Sequence, residues 1–317
     1  MTGNNSLPRI RPADAPAIAE AAAILRRGGL VAVPTETVYG LAARADHADA
    51  VAGIYRAKGR PDYNPLIVHV ADVAAAERLA RFGDRARRLA AAFWPGALTL
   101  VLPRLDGAAL AEAVTAGLPT VALRCPAHQA MRALLAETGL PLAAPSANRS
   151  GGVSPTSAVH VAASLGSKVD LILDGGPCEA GVESTIAVLR DDGCWQILRP
   201  GPVTEAEIAA VLGRGSDIGA SPGAIEAPGQ LASHYAPGKP VRLDAEAAEP
   251  DEFHIGFGAV AGDLNLSPGG DLAQAAARLY EALHAGSAAP QPRIAVAPIP
   301  SEAIGAAIND RLRRAAA

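Results

Sequence analysis

The sequence predicts an α/β protein built from two units in series. Short apolar runs alternate with alanine-rich stretches of helical length throughout residues 15–212. A segment rich in glycine, proline and serine occupies residues 213–240, and a shorter alternation of the same kind follows at 241–317. Strands that alternate with helices are typical of α/β domains. A chain of 317 residues is also long for one domain and comfortable for two.

The first domain is predicted to open with a helix at residues 15–27, because Gly28-Gly29 follows it as a C-cap. Strands are predicted at 30–33, 66–70, 97–102, 119–124, 140–144, 170–174, 184–189 and 194–198. Helices are predicted between several of them, at 47–57, 72–80, 84–93, 127–137 and 155–164. Thr204 and Glu207 form a capping box, so one more helix should close this domain at about residue 212.

The second unit is predicted to contain strands at 252–257 and 293–297 and a helix at 271–284, which suits a small three-layer α/β domain. We therefore divide the chain into a first domain at 10–212, a linker at 213–240 and a second domain at 241–317. A linker of this length is uncommon in a compact protein and suggests function or mobility. The spacing of the elements leaves the strand order open.

Composition predicts a soluble globular protein without a membrane span. Half of the residues are apolar and 19% are charged, and no 18 apolar residues follow one another without interruption. The start of the sequence lacks the basic residues and apolar core of a secretory signal. Cys125, Cys178 and Cys194 form no CxxC pair. We therefore expect reduced thiols and a cytoplasmic location.

The charge is unevenly distributed along the chain. Residues 1–203 hold 20 basic and 18 acidic side chains, whereas residues 204–317 hold 8 and 14, within a total net charge of −4. An anionic ligand should therefore bind the first domain. A net charge of this sign argues against a dedicated nucleic-acid binder.

A phosphate site is predicted in the loop from Ser146 to Thr156, although no P-loop motif is present. A strand is predicted to end at Ala144, a loop rich in serine and glycine follows, and Ser154-Pro155 has the composition of a helix start. Free amides at such a start, with serine hydroxyls beside them, suit a phosphate group. The alternative is an ordinary capped helix after a loop.

Several other polar residues are candidates for a site, and each has a plainer interpretation. Lys58 and Arg60 stand at a predicted helix end, where the helix dipole favours cations without any ligand. Arg124 ends an apolar strand and needs a carboxylate or phosphate partner. A lone histidine in an apolar strand, such as His69, is usually part of the packing. Tyr235 is an aromatic residue in the linker, where it has little reason to be unless it covers something.

The sequence resembles the YrdC-domain threonylcarbamoyl-AMP synthases, and the matching blocks run in order along nearly the whole chain. The blocks are Pro34-Thr-Glu-Thr-Val-Tyr-Gly-Leu41, Lys58-Gly-Arg-Pro61, Asn64-Pro-Leu66, Trp94-Pro-Gly-Ala-Leu-Thr-Leu100, Val121-Ala-Leu-Arg-Cys-Pro126, Ala144-Pro-Ser-Ala-Asn-Arg-Ser-Gly-Gly152, Glu183-Ser-Thr185, Leu198-Arg-Pro-Gly201, Ser233-His-Tyr-Ala-Pro237, Leu266-Ser-Pro-Gly-Gly-Asp271 and Ala307-Ile-Asn-Asp-Arg-Leu312. The last three are similar to the two-domain branch of the family.

The resemblance implies a fold and a reaction. The fold would be a YrdC-like open α/β domain with a mixed twisted sheet, followed by a small Rossmann-like three-layer domain. The reaction would join L-threonine, bicarbonate or CO2, and ATP into L-threonylcarbamoyladenylate with release of pyrophosphate, for the threonylcarbamoyladenosine modification of tRNA. Magnesium would be carried by the ATP phosphates, with no metal ligand from the protein. The implied partners also include the downstream tRNA threonylcarbamoyltransferase machinery, with weak or no direct binding of tRNA.

The resemblance also implies site residues, position by position. The threonine set is Thr37, His69, Arg124, Ala144 through its backbone, and Ser184. The ATP set is Arg60, Asn64, Thr120, Ser146, Ser154, Arg199 and Tyr235. Lys58 and Arg60 would be catalytic by stabilising charge on the phosphates. We further expect the linker to fold over the nucleotide as a lid that carries Tyr235. The plain interpretation of the neighbouring His234 is a surface residue.

Two other classes of protein are alternatives to a threonylcarbamoyl-AMP synthase. YrdC-like domains present a basic concave surface, which would suit an RNA-binding module, but the first domain has few excess cations and no interleaving of aromatic and basic residues. The carbamoyltransferases of hydrogenase maturation share the domain and carry paired CxxC zinc sites, which this sequence lacks.

Overall fold

The computed structural model describes residues 8–190, 193–213, 227 and 234–317. Its helices are α1 (Ala15–Arg26), α2 (Ala48–Lys58), α3 (Val73–Glu77), α4 (Asp84–Phe93), α5 (Glu112–Thr115), α6 (Gln129–Thr138), α7 (Ala158–Leu165), α8 (Glu205–Leu212), α9 (Leu272–Ala288) and α10 (Gly305–Ala315). Its strands are β1 (Ile10–Pro12), β2 (Val31–Val33), β3 (Gly40–Arg44), β4 (Ile67–His69), β5 (Leu98–Pro103), β6 (Thr120–Arg124), β7 (Leu142–Ala143), β8 (Leu171–Asp174), β9 (Thr185–Leu189), β10 (Trp195–Arg199), β11 (Val241–Arg242), β12 (Glu252–Gly256), β13 (Leu264–Asn265) and β14 (Arg293–Val296).

The first domain is a ten-stranded mixed sheet in the order β1-β8-β2-β3-β7-β4-β6-β5-β9-β10. Parallel pairing joins β1 to β8, β8 to β2, β4 to β6, and β5 to β9. The other neighbours are antiparallel. The predicted α/β fold class is confirmed, and the sheet is mixed as the resemblance implied.

Both faces of this sheet are buried under helices. Successive residues of a strand point to opposite sides, so neighbouring residues pack in different clusters. Val31 and Val33 pack in a cluster with α1 and α6, whereas Ala32 between them packs in a second cluster with α2, α4 and α7. This explains why the strands read as continuous apolar runs and not as alternating ones. Each fully buried valine or leucine contributes roughly 1.5–3 kcal/mol to folding.

The pairing register of two parallel strands brings two of the predicted site residues together. His69 is the last residue of β4, Arg124 is the last residue of β6, and the two are direct register partners. Next to them β5 begins at Leu98, in register with Thr185 at the start of β9. Strand ends and strand starts therefore meet at one edge of the sheet, which is where open α/β sheets bind ligands.

The C-terminal domain is a four-stranded parallel sheet in the order β11-β14-β12-β13. Its helix α9 contacts β12 and β14, and α10 contacts α9. The apolar cluster around α9 also contains Val38, Val153 and Val182 of the first domain, so the core continues across the boundary between the domains. Gly181 lies against α9, where a Cβ atom would stand 2.4 Å from the carbonyl oxygen of Ala276. Only glycine allows the backbones to approach this closely.

Most predicted elements of the first domain are present, with differences at their ends. Gly59 ends α2 in the left-handed conformation (φ 61°), and the capping box of Thr204 and Glu207 starts α8, as predicted. The sequence did not predict β1, β3 or α5, nor β11, β13 and α10 in the second domain. The helix predicted at 72–80 is the shorter α3. Most of the predicted linker (214–226 and 228–233) lies outside the described residues.

The helix predicted at 155–164 begins later, so its proposed cap at Ser154 is wrong. Helix α7 starts at Ala158, and the side chain of Ser157 caps it by accepting from the amide of His160. The backbone before it is committed elsewhere: the Pro155 carbonyl accepts from the amide of Tyr39, 2.9 Å away. Residues bonded in this way to neighbouring segments cannot also form the first helical turn. Among the described residues, no helix is long and apolar enough to cross a membrane.

The two domains also meet through a pair of stacked histidines. His160 of α7 and His284 of α9 have ring centroids 3.9 Å apart with 24° between their planes. His284 also contacts the Ser154 carbonyl oxygen at 3.1 Å. Burial, then the neighbouring His284 ring, lowers the pKa of His160 to about 4. Burial likewise lowers the pKa of His284.

This pair predicts that acid weakens the domain contact. In the unfolded chain both imidazoles titrate near 6.5, so the stability that neutral stacking provides is complete above that pH. It is lost progressively as the pH falls from 6.5 towards about 4, because the unfolded chain then binds more protons. Chemical unfolding measured between pH 7 and 4 should show a decline in midpoint that is smaller in His160→Phe, which keeps a ring but cannot titrate. Equal declines would contradict this assignment.

Candidate active site

A cavity at this edge of the first sheet contains most of the residues predicted to form the site. The cavity has a volume of about 50 Å³ and opens to solvent; the empty space counted together with that opening is about 560 Å³. Its lining includes nine predicted residues, which are Thr37, Arg60, His69, Arg124, Ala144, Ser146, Ser184, Arg199 and Tyr235. Thr35, Glu183 and His234 line it as well, although the sequence analysis gave them no role.

Four predicted residues are not on the cavity wall. Lys58, Asn64 and Ser154 are buried behind it, each bonded to a residue that lines it. Thr120 opens β6, four residues before Arg124. Because a strand rises by about 3.3 Å per residue, Thr120 lies roughly 13 Å along β6 from the arginine. Its role in ATP binding stays a prediction.

Arg124 provides a guanidinium group at the bottom of the cavity, with its side chain almost fully buried. Its Nη1 donates to the Thr37 hydroxyl at 2.8 Å and its Nε donates to the Gly96 carbonyl at 3.1 Å. Its Nη2 donates to the carboxylate of Glu36 at 2.6 Å. The carboxylate partner that a buried arginine requires is therefore present within the chain. A guanidinium group has five N–H donors, so two of them remain for a ligand.

Glu36 was missed by the sequence analysis, although it stands between Thr35 and Thr37 in the polar corner after β2. Its second oxygen accepts from the Ala127 amide at 3.1 Å, just before α6. Burial alone would raise the pKa of Glu36, but the Arg124 guanidinium outweighs it and lowers that pKa. The charge of Arg124 is thus balanced before any substrate arrives.

Two neutral imidazoles face the cavity from different directions. His69 has a buried Nδ1 with no hydrogen-bond partner among the described residues, and His234 has the same. Burial, followed by the charge of Arg124, lowers the pKa of His69 to about 3. Burial also lowers the pKa of His234 to about 3. Unpartnered buried nitrogens are costly, and in a cavity wall they indicate a ligand that completes their hydrogen bonds.

Another side of the cavity is built on Lys58, the last residue of α2. Its ammonium donates to the carbonyl oxygens of Ser146 (2.6 Å) and Asn148 (2.5 Å). Burial, and then the charge of Arg60, lowers the pKa of Lys58. An ammonium has three donors, so one remains. Lys58 therefore fixes the loop after β7 and adds a positive charge directly behind it.

Arg60 and Arg199 add two more cations, of which Arg199 is buried and Arg60 is partly buried. Arg60 Nη2 donates to the Asn64 side-chain oxygen at 2.6 Å, and burial lowers the pKa of Arg60 to about 10. Arg199 donates from Nη2 to the carbonyl oxygen (2.9 Å) and the hydroxyl (3.2 Å) of Ser184. Within the described part of the chain, neither arginine nor Lys58 makes an ion pair. Three cations whose hydrogen bonds go to neutral oxygens, two of them buried, predict a polyanionic ligand.

Ser154 has a different partner from the one predicted. Its hydroxyl donates to the Glu183 carboxylate at 2.5 Å instead of capping a helix. Burial would raise the pKa of Glu183, but the guanidinium groups of Arg311 and Arg199 outweigh it and lower that pKa to about 2. Glu183 is therefore ionised, and Ser154 is tied to it and not to a helix terminus.

Tyr235 and His234 close one side of the cavity. Only 1% of Tyr235 and 7% of His234 is exposed, so the suggestion that His234 is a surface residue is wrong. Their rings pack edge to face, with centroids 4.2 Å apart. The amide of the next residue, Ala236, bonds the Gly151 carbonyl at 2.8 Å. This part of the linker is therefore docked on the loop between β7 and α7.

Comparison with known proteins gives two family matches in series. Residues 23–201 match the Sua5/YciO/YrdC family, described as "Telomere recombination", and residues 203–317 match "Threonylcarbamoyl-AMP synthase, C-terminal domain". A threonylcarbamoyl-AMP synthase of Bacillus subtilis is 43% identical over 95% of this chain and 93% of its own length. One from Pyrococcus abyssi is 46% identical over 68% of this chain and 64% of its own length.

A solved structure agrees with these matches. The crystal structure of Pyrococcus abyssi Sua5 complexed with L-threonine has a TM-score of 0.87 and 37% identity, over 98% of this chain and 97% of that one. Fold, site and these likenesses define an enzyme of the nucleotidyltransferase type. The chain belongs to the threonylcarbamoyl-AMP synthase family.

The geometry of Arg124 predicts a cost for neutralising Glu36. Glu36→Gln keeps the shape but leaves the buried guanidinium without a counter-charge, so stability should fall by about 1–3 kcal/mol. The matched control is Glu20→Gln, because Glu20 pairs with the exposed Arg9 and such surface pairs are worth about 0–1 kcal/mol. Chemical unfolding of both variants measures the difference. Equal effects would contradict a buried pair.

Proposed function

We propose that this chain joins L-threonine, bicarbonate or CO2, and ATP into L-threonylcarbamoyladenylate and pyrophosphate. One observation carries the proposal: a single cavity is lined by Arg124, which suits a carboxylate, and by Arg60 and Arg199, which form no ion pair among the described residues. The first feature suits an amino acid and the second suits a triphosphate. Membership of the family gives independent support.

Threonine would bind around Arg124. The two free donors of its guanidinium group would take the substrate carboxylate beside the Thr37 hydroxyl. His69 is neutral, so its unpartnered Nδ1 would serve as a hydrogen-bonding group and not as a charge. The Ser184 hydroxyl, 2.8 Å from that of Thr99, and the backbone of Ala144 complete the proposed threonine site.

ATP would bind with its phosphates between Arg60, Arg199 and the loop that Lys58 fixes. Ser146 lies on the cavity wall in that loop, Asn64 orients Arg60, and Ser154 braces Glu183. Thr120 is proposed as an ATP contact from the family pattern alone. We place Mg²⁺ on the ATP phosphates, where it would neutralise charge during transfer.

The proposed chemistry needs no covalent enzyme intermediate. The threonine amine and bicarbonate form a carbamate with loss of water. One carbamate oxygen attacks the α-phosphorus, a new P–O bond forms, and the bond to the β-phosphate oxygen breaks to release pyrophosphate. The chain's residues contribute by holding both substrates and by stabilising negative charge as it develops on the leaving group.

The linker residues beside the cavity would protect the product of this step. Tyr235 and His234 would cover the nucleotide and exclude water from the reactive adenylate, as proposed for the 213–240 linker. The product would pass to the tRNA threonylcarbamoyltransferase machinery, with weak or no binding of tRNA by this chain and a cytoplasmic location.

The decisive experiment is to incubate the protein with ATP, threonine and labelled bicarbonate, and to look for an adenylated carbamate with release of pyrophosphate. Absence of both products would refute the proposal.

Arg124→Ala should raise the KM for threonine roughly 10- to 150-fold, because a charge-assisted contact is worth about 1.5–3 kcal/mol. The KM for ATP should change little. Arg132→Ala is the control. It removes an exposed arginine from α6 and should leave the KM values for threonine and for ATP unchanged. Equal losses for both substrates in a folded Arg124→Ala variant would count against the threonine site.

Arg60→Ala and Lys58→Ala should lower kcat more than they weaken ATP binding. Charge that develops on pyrophosphate makes these contacts stronger in the transition state than in the ground state. Lys58→Ala also frees the loop at Ser146, so Arg60→Ala is the cleaner test. Arg56→Ala on the exposed face of α2 is the control. Unchanged kcat in both variants would assign these cations to helix-end stabilisation alone.

A further inference from the structure

Arg311 of α10 is a buried cation of the C-terminal domain that reaches the first domain. None of its side chain is exposed. Its Nε donates to Glu183 Oε2 at 2.9 Å, and its Nη1 donates to the carbonyl oxygen of Pro200 at 2.8 Å. The same Nη1 also contacts the neighbouring Asp310 carboxylate at 2.8 Å. One guanidinium group thus bonds two separate segments of the other domain.

Tyr280 of α9 reaches the same point from a second helix. Its hydroxyl donates to Glu183 Oε2 at 2.8 Å, the oxygen that Arg311 also binds. Its ring stacks on Tyr235, with centroids 5.7 Å apart and 26° between the planes. The Arg311 guanidinium carbon lies 5.5 Å from the centroid of the Tyr235 ring. Both side chains therefore contact a residue of the cavity wall as well as Glu183.

The segments that Arg311 joins are the two that carry Ser184 and Arg199. Glu183 directly precedes Ser184, the residue before β9, and Pro200 directly follows Arg199 at the end of β10. Ser184 and Arg199 are bonded to each other through three contacts of 2.9–3.2 Å. Any displacement of Arg311 is therefore transmitted to one proposed threonine contact and one proposed ATP contact together.

Domain docking alone does not explain this arrangement. A buried ion pair loses most of its Coulomb gain to desolvation, and apolar side chains of similar volume often hold two surfaces as well. The apolar cluster around α9 already joins the domains through Val38, Val153 and Val182. The guanidinium group of Arg311 adds a fixed geometry. Its N–H donors lie in one plane at set angles, so bonding two segments at once fixes their relative orientation.

We propose that the C-terminal domain completes the active site, with Arg311 and Tyr280 as positioning residues that hold Ser184 and Arg199 for threonine and ATP. The inference rests on the proposed function for the identity of the two ligands. The contacts themselves are independent of it. Neither residue touches the reacting atoms: Arg311 acts through Glu183 and the carbonyl of Pro200, and Tyr280 acts through Glu183.

The first test measures steady-state kinetics and binding by calorimetry for Arg311→Met, Arg311→Lys and Tyr280→Phe. Arg311→Met should raise the KM values for ATP and for threonine together, each by roughly tenfold or more, as expected for a lost charged hydrogen bond. Arg311→Lys should rescue part of this, because an ammonium restores the charge but not the fork. Arg313→Met, which removes an exposed arginine two residues along α10, is the matched control and should match the wild type.

The second test separates positioning from stability through the pH profile. In Arg311→Met the buried Glu183 loses its main stabilising charge, so its pKa should rise and activity should gain a new ionisation between about pH 5 and 8. That ionisation should vanish in the double variant with Glu183→Gln, while the KM defect remains. If the KM defect of the double variant disappears with the charge, Arg311 serves stability alone and the proposal is overturned.

Tyr280→Phe keeps the test decisive if Arg311→Met does not fold. It retains the ring on Tyr235 and removes only the hydroxyl bond to Glu183, so both KM values should rise roughly three- to tenfold. Wild-type KM values for a folded Tyr280→Phe would overturn the proposal. If the proposed function is wrong, the wild-type chain forms no adenylate. If only this inference is wrong, the wild type is active and the variants have the same KM values as the wild type.

Discussion

Buried positive charge is the constraint around which the site is organised. Lys58 and Arg199 are buried and Arg60 is partly buried, and all three are held by carbonyl, amide and hydroxyl oxygens, without a carboxylate at ion-pair distance among the described residues. Such an arrangement is stable only because the oxygen dipoles replace part of the lost hydration. The acidic residues that are present, Glu36 and Glu183, each neutralise a different arginine. The remaining excess of positive charge lies at Lys58, Arg60 and Arg199, where we propose that the phosphates bind.

The sequence was sufficient for those features that depend on neighbouring residues. The Gly59 C-cap, the capping box before α8 and the apolar runs of the central strands all rest on local rules, and the structure contains them. The position of Arg124 at a strand end was also readable, since an arginine there requires an anion. The anion that the structure places on Arg124 is Glu36, which the sequence did not single out, whereas the threonine carboxylate implied by the family resemblance stays a prediction.

Features that depend on distant parts of the chain were not readable in this way. Arg311 and Glu183 are 128 positions apart, and no local pattern marks them as partners. The helix start at Ser154 was mispredicted for a similar reason, because Pro155 is engaged by Tyr39 from another segment. Tertiary hydrogen bonds overrode a composition that favours a helix cap. His234 was judged from its linker context, which contains no information about the cavity that buries it.

The conformation of Tyr235 has an energetic consequence of its own. Its φ of 65° lies in the left-handed region, which costs a residue with a side chain about 1–2 kcal/mol relative to an ordinary backbone. The contacts of its ring with Tyr280 and Arg311 offset that cost while the ring is in the cavity wall. The backbone at Tyr235 is therefore strained while the ring stays in the cavity wall. Any rearrangement that withdraws the ring from the cavity wall removes this backbone strain, so withdrawal costs less free energy than the loss of the ring contacts alone would suggest.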